Sequence, residues 1–155
     1  MDQTDRILLS QLLANARSTG TALAAATGTS ESTVSARVRS LQSRGIVRGY
    51  HADLDLDALG VTVQAFIAVR FVTITREDIE QFREEAPAWD GVIGVYNVSG
   101  ANDFLLHVAA RDSRELRDFV IEHLAEHPAV AHTETNLIFD HTPGRGIHHF
   151  LTDPL

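Results

Sequence analysis

The chain has 155 residues, 44% of them hydrophobic, no cysteine and a formal net charge of −8. That length suits one ordinary domain or two small ones with packed cores, and the missing cysteines exclude disulfides and thiolate-metal sites. No apolar run reaches the roughly 20 residues a membrane-spanning helix needs, and the opening MDQTDR lacks a signal-peptide pattern, so a cytoplasmic location away from membranes is expected.

Charge is unevenly spread. Residues 1–50 hold six arginines against three acids (Asp2, Asp5, Glu31), while residues 51–155 hold seven arginines against eighteen acids. A basic head on an acidic body suggests two units with different partners, the acidic one turned away from phosphate. Ordinary scatter between small domains is the plainer explanation.

In chain order, Asp2 is placed to cap a first helix ending near Asn15, with Asp5 at its third position. Ile7, Leu8, Leu9, Leu12 and Leu13 give it a broad apolar face. A second helix covers about Gly20 to Ala26, and Gly28 supplies a tight turn. Ser30 caps a third helix, whose Val34, Val38 and Leu41 recur at helical spacing, and Gly45 ends it. Leu8, Leu12, Leu23, Val34, Val38 and Leu41 are the expected core.

Opposite the apolar stripe of the third helix lie Ser32, Ala36, Arg39 and Ser43, with Ser35 at its edge. This small, hydroxylated, cationic face suits a DNA major groove. A solvated face of a three-helix bundle fits the pattern about equally well. On the DNA reading, Ser30, Ser32, Ser35, Ala36, Arg37, Arg39, Arg44 and Arg48 are the candidate contacts. Arg39 is the base reader and Arg44 and Arg48 are phosphate partners. Arg37 lies nearer the stripe and either pairs with an acid or grips phosphate.

Ile46 to His51 reads as a short strand, and residues 51–60 as a connector, either strand edge or helical turn. From Val61 the pattern is strand (to Ile74), helix (Arg76 to about Ala86, capped by Thr75), strand (Val92 to Ser99) and strand (Phe104 to Ala110). A helix capped by Asp112 carries Leu116, Phe119, Val120, His123 and Leu124 on one face and is ended by Pro128, and a last strand covers Val130 to Phe139. This order defines a ferredoxin-like α+β arrangement over residues 61–140, behind a helix-turn-helix domain at 1–50, with a tail at 141–155. Both faces of the strands are apolar. Val63, Ala65, Ile67, Val69 and Phe71 point one way, Phe66, Ala68 and Val72 the other. A second copy packing sheet on sheet is the economical cover. In a dimer, two reading helices would meet a roughly palindromic site.

These residues resemble the Lrp/AsnC family of transcription regulators over about residues 2–140. The resemblance rests on Asp2-x-x-Asp5 with Ile7-Leu8, Arg17, Leu23-Ala24, Gly28-Thr29-Ser30, Arg37-Val38-x-x-Leu41 and Gly45-Ile46-Val47-x-Gly49-Tyr50. Further along, Gly60, Val98-Ser99-Gly100-x-x-Asp103-Phe104 and Thr133-x-Thr135 extend it. It implies a winged or plain helix-turn-helix, dimers through the sheets that often build octameric rings, and a small effector, usually an amino acid, held between dimers. Gly100, Ala101, Asn102, Asp103, Thr133 and Thr135 are the implied effector residues. Ala101 and Asn102 stand where the family often has an acid and then an aromatic, so the ligand's identity is open. From the residues alone, Gly100 to Asp103 reads as an ordinary hairpin turn, where Gly, Asn and Asp are the usual residues.

His123, on an apolar helix face, is either a core histidine or part of the effector cavity. His141, His148 and His149 in the tail are too scattered for a metal site, and the apolar Ile147, Phe150 and Leu151 suggest that the tail packs. No catalytic set, cofactor loop or metal cluster emerges, so an enzyme is not expected. The competing function is a metabolite-binding module that acts through protein partners without touching DNA.

Overall fold

The computed structural model describes residues 1–73, 75–144 and 146–152. It divides into two compact units, Met1–Asp53 with Thr142–Leu155, and Leu54–His141.

The first unit holds α1 (Gln3–Ala14), α2 (Gly20–Thr27), α3 (Glu31–Ser43) and the short α6 (His149–Thr152). Each of the first three helices starts on a side-chain cap. Asp2 accepts from the Asp5 N–H, Thr19 from Ala22 and Ser30 from Thr33. Two helices stop in the same way. Gly28 takes φ +66° after α2 and Gly45 φ +69° after α3. The residues that follow turn back, Thr29 N–H to Ala24 O at 3.1 Å and Ile46 N–H to Leu41 O at 2.9 Å. These are Schellman closures, which glycine enters without strain. Leu8, Leu23, Ala24 and Val34 form the core, with Leu12 and Val38 against it, and Leu41 is fully buried as well.

The strand expected over Ile46 to His51 is absent. The Ile46 and Val47 N–H groups both bond Leu41 O, which serves the helix end rather than a ladder. The tail does not stand apart, since residues from Thr142 on cluster with the first unit. Ile147 and Leu151 line an apolar cleft of about 590 Å³ with Leu9, Leu12, Leu13 and Tyr50.

The connector holds a 3-10 turn, Asp57–Leu59, closed by Gly60 at φ +77°. The second unit then runs β1 (Val63–Phe71), α4 (Arg76–Glu85), β2 (Val92–Asn97), β3 (Phe104–Ala110), α5 (Ser113–Val120) and β4 (Val130–Ile138). The antiparallel sheet has the order β2-β3-β1-β4. β1 ends at Phe71 after an irregularity at Arg70/Phe71. The expected end of that strand, Ile74, lies outside the described residues. The second helix is shorter than expected. After Val120 it widens into a π-helical turn, Ile121–Ala125.

One sheet face carries Ala65, Ile67, Val69, Phe71, Phe104, Leu106 and Val108, all buried with Phe82, Leu116, Phe119 and Leu124. Phe82 is the hub, with ring centroids 4.8 Å from Phe104, 5.3 Å from Phe71 and 5.4 Å from Trp89. On the opposite face the register aligns Phe66 with His107, Ala68 with Leu105 and Tyr96 with Leu105. Phe66 is 38% exposed and Tyr96 51%.

Candidate nucleic-acid interface and effector turn

α3 presents Ser32, Ser35, Ala36, Arg39 and Ser43 to solvent, followed by Arg44 and Arg48, all exposed. Arg39, Arg44 and Arg48 make no ion pair among the described residues. Ser30 is occupied as the cap, and its Oγ lies 2.9 Å from the Ser32 hydroxyl. Glu31, the single acid of α3, accepts from the Thr21 hydroxyl of α2 at 2.8 Å.

Arg37 departs from the rest of the candidate set. Its Nη1 donates to Asp2 Oδ2 at 2.7 Å and to Asp5 Oδ1 at 2.9 Å. The helical period turns Arg37 back toward α1, and both Nη1 hydrogens end on carboxylates. Of the two roles open to it, acid pairing is the one observed. The Asp5 N–H, then the Arg37 guanidinium, hold the Asp2 carboxyl below its ordinary value.

Of the effector candidates, Gly100 to Asp103 lie at one end of the second unit. β3 begins at Phe104, opposite Val69 of β1. Beyond that pair β1 has no strand on its β3 side, and the Asp103 carboxylate takes the Phe71 N–H at 2.7 Å. Asp103 N–H donates to Val69 O at 2.9 Å, and Asp103 O accepts from Val98 N–H and Asn97 Nδ2. Asp103 is thus the pin of the turn. Its second carboxylate oxygen has no hydrogen-bond partner among the described residues. Gly100 sits at φ +122° with open space where a Cβ would be. Ala101 is exposed and Asn102 half-buried.

Across the sheet, Thr133 pairs with Val69 and Thr135 with Ile67. Thr133 therefore stands two strands from Phe104, roughly 10 Å at the usual strand spacing. The register puts both threonines on the helix-covered face. Because β4 is an edge strand, Thr135 is still exposed and Thr133 only half-buried.

His123 is not brought to this turn. Its ring stacks on Trp89, centroids 4.8 Å apart and planes 12° apart. The two line a cavity of about 380 Å³ with Gly91, Ala109, Glu115 and Asp118 and none of residues 100–103. Sequence reading missed His127, whose Nε2 lies 2.6 Å from Glu85 Oε1 while Nδ1 accepts the Ala129 N–H. It also missed Asn97. Asn97 carries a turn-forming residue type, but the pairing of His127 with Glu85 spans 42 positions and leaves no local signal. Among the described residues no three His, Asp or Glu side chains converge on a metal position, and no helix is long and apolar enough to cross a membrane.

A helix-turn-helix beside a four-stranded α+β unit defines a class of two-part regulators, and comparison with known proteins agrees. Residues 64–144 match the model of the Lrp/AsnC ligand binding domain, and residues 1–48 that of the winged helix-turn-helix DNA-binding family. The chain belongs to the Lrp/AsnC family of transcription regulators, which are not enzymes. It is 42% identical to the HTH-type transcriptional regulator AldR of Mycobacterium tuberculosis over 93% of this chain and 80% of that one. The AldR crystal structure superposes with a TM-score of 0.78 at 38% identity, covering 94% and 99% of the two chains. A Neisseria meningitidis transcriptional regulator, solved as an L-Met complex, superposes with a TM-score of 0.83 at 27% identity over 97% and 99%.

Proposed function

We propose that this regulator acts in the cytoplasm as a homodimer, laying α3 of each copy in successive major grooves, with an amino-acid effector tuning its grip. The reading is carried by the exposed face of α3, where Arg39, Arg44 and Arg48 stand among small hydroxylated residues. Arg39 reads a base edge through its planar fork, Ser32 and Ser35 touch bases or phosphates, and Arg44 and Arg48 meet the backbone. With so few forked donors, much of the preference comes from DNA shape.

The dimer forms through the open sheet face around Phe66, Leu105 and Tyr96, whose apolar surface a second copy would remove from water. Dimers assemble further into octameric rings. The effector sits between dimers at Gly100 to Asp103, with Thr133 and Thr135 nearby. The Asp103 oxygen without a partner takes the ammonium, and turn N–H groups take the carboxylate. The L-Met complex of the Neisseria regulator supports this ligand class. No cofactor beyond the effector is needed.

The test is binding to the regulator's own promoter DNA across a salt series. Affinity falls by about 0.9 log units per log unit of salt for each phosphate neutralised. Association indifferent to salt, or none, would sink the DNA reading. A thermal-shift screen of the amino acids tests the effector, since a ligand at a hundred times its Kd adds ~2.7 kcal/mol. Silence across all of them removes it.

A further inference from the structure

We infer that Arg37 is a positioning residue, and that its clamp onto Asp2 and Asp5 sets how well α3 tells its operator from other DNA. The inference rests on the reading of α3 as the DNA-facing helix. Arg37 lies midway along α3, while both carboxylates belong to the opening of α1. Asp5 is 7% exposed and is the only buried charged residue among those described. A buried carboxylate is costly to leave without its donor, so the 2.9 Å bond from Arg37 to Asp5 ties the middle of α3 to one place on α1. The second leg, to the helix cap Asp2, fixes the direction from which the guanidinium arrives.

Apolar contacts alone would hold α3 less firmly. Its fully packed stripe consists of Val34 and Leu41, with Val38 only partly covered. Such a narrow stripe resists separation but permits rolling about the helix axis. A charge pair at Arg37, one residue from Val38, opposes that roll. Rolling would carry Ser32, Ser35 and Arg39 off the base edges together. It would matter far less to Arg44 and Arg48, which meet a charge field rather than a base.

A grip on phosphate and a clamp on α1 predict different results when Arg37 is neutralised. If Arg37 were a phosphate ligand, Arg37→Gln would lower the salt slope on every duplex by about 0.9. If the clamp positions α3, that change lowers instead the ratio of operator to random-duplex affinity, and Asp2→Asn does so by loosening one leg. Asn is as good a helix cap as Asp, so α1 keeps its start.

The experiment uses the full chain, with a duplex enriched from a random library on the wild-type protein and a scrambled duplex as control. Both are titrated over a salt series. Asp2→Asn and Arg37→Gln should each lower the operator-to-scrambled ratio about ten-fold, the cost of one misplaced base contact. Neither should change the salt slope on the scrambled duplex, and the double variant should lose no more than the worse single one. A slope lower by about 0.9 in Arg37→Gln identifies a phosphate contact and overturns the inference. An unchanged ratio in both variants overturns it too. Should Arg37→Gln unfold, the surface variant Asp2→Asn decides alone. A wild-type protein that enriches no duplex refutes the DNA reading itself, a separate outcome.

Discussion

The Asp103 carboxylate accepts the Phe71 N–H at 2.7 Å, across 32 positions of sequence. One side chain thereby finishes an interrupted ladder and closes the turn proposed to receive the effector. The two duties separate by substitution. Asp103→Asn keeps a carbonyl oxygen for Phe71 but loses the charge, so melting should stay within about 1 kcal/mol of wild type while any effector-induced shift disappears. Asp103→Ala leaves the Phe71 N–H unmet and should cost roughly 1–3 kcal/mol in chemical denaturation. Equal effector shifts in wild type and Asp103→Asn would show that the charge has no part in binding.

Arg39→Ala touches no packing. Thermal melting should be unchanged, and operator affinity should fall by ~1–3 kcal/mol, with relaxed preference at a single base pair. Arg44→Ala or Arg48→Ala should instead weaken operator and scrambled DNA alike and lower the salt slope by about 0.9. Swapped behaviour would reverse the assignment of base and phosphate contacts.

The open sheet face should respond to pH. Burial, then the charge of His141, lowers the His107 pKa from its ordinary value of 6.5. Its Nε2 meets Gln64 Oε1 at 3.0 Å and its ring lies 4.9 Å from Phe66. A base with a depressed folded-state pKa carries no penalty above its unfolded value and loses stability as pH falls below it. Chemical denaturation should therefore show full stability at pH 8 and a decline as pH falls below about 6.5. His107→Leu should lose that decline. Phe66→Asp, on the proposed interface, should be monomeric by sedimentation. A wild-type stability indifferent to pH over this window would remove His107 from the energetics of the sheet.

Cap chemistry gives an acid limit in both units. The Asp112 carboxyl accepts from Arg114 and Glu115 N–H groups at the start of α5 and is held below its ordinary 3.8, chiefly by the Glu115 N–H. Asp2 is shifted the same way, first by the Asp5 N–H. Depressed carboxylates stabilise fully above the unfolded value, and that contribution fades as pH drops through the folded one. Asp112→Asn should therefore flatten the fall in stability below about pH 4, seen by circular dichroism, and change little at pH 7.

How far the sequence revealed this molecule depended on the range of each interaction. Helix starts at Asp2, Ser30, Thr75 and Asp112 were legible because a cap needs only its next three residues. The glycine stops at Gly28 and Gly45 were equally local. β3 was read residue for residue, bounded by Asp103 and Arg111. The false strand at Ile46 to His51 has β-prone residues, but a strand needs a partner, which composition does not reveal. The residue types of the candidate DNA face were visible from helical spacing, whereas the occupation of Arg37 required knowing where α1 crosses α3. The Asp103 bond to Phe71 and the pairing of His127 with Glu85 are tertiary in the same sense.

The first unit is written in two instalments, Met1–Asp53 and the stretch from Thr142 on, whereas Leu54–His141 is continuous. The head therefore cannot close until the residues after His141 have emerged, so Leu9, Leu12 and Leu13 wait with part of their apolar cover missing. A stop codon shortly after His141 would spare the sheet and leave a head that matures poorly, a late lesion felt by an element encoded early.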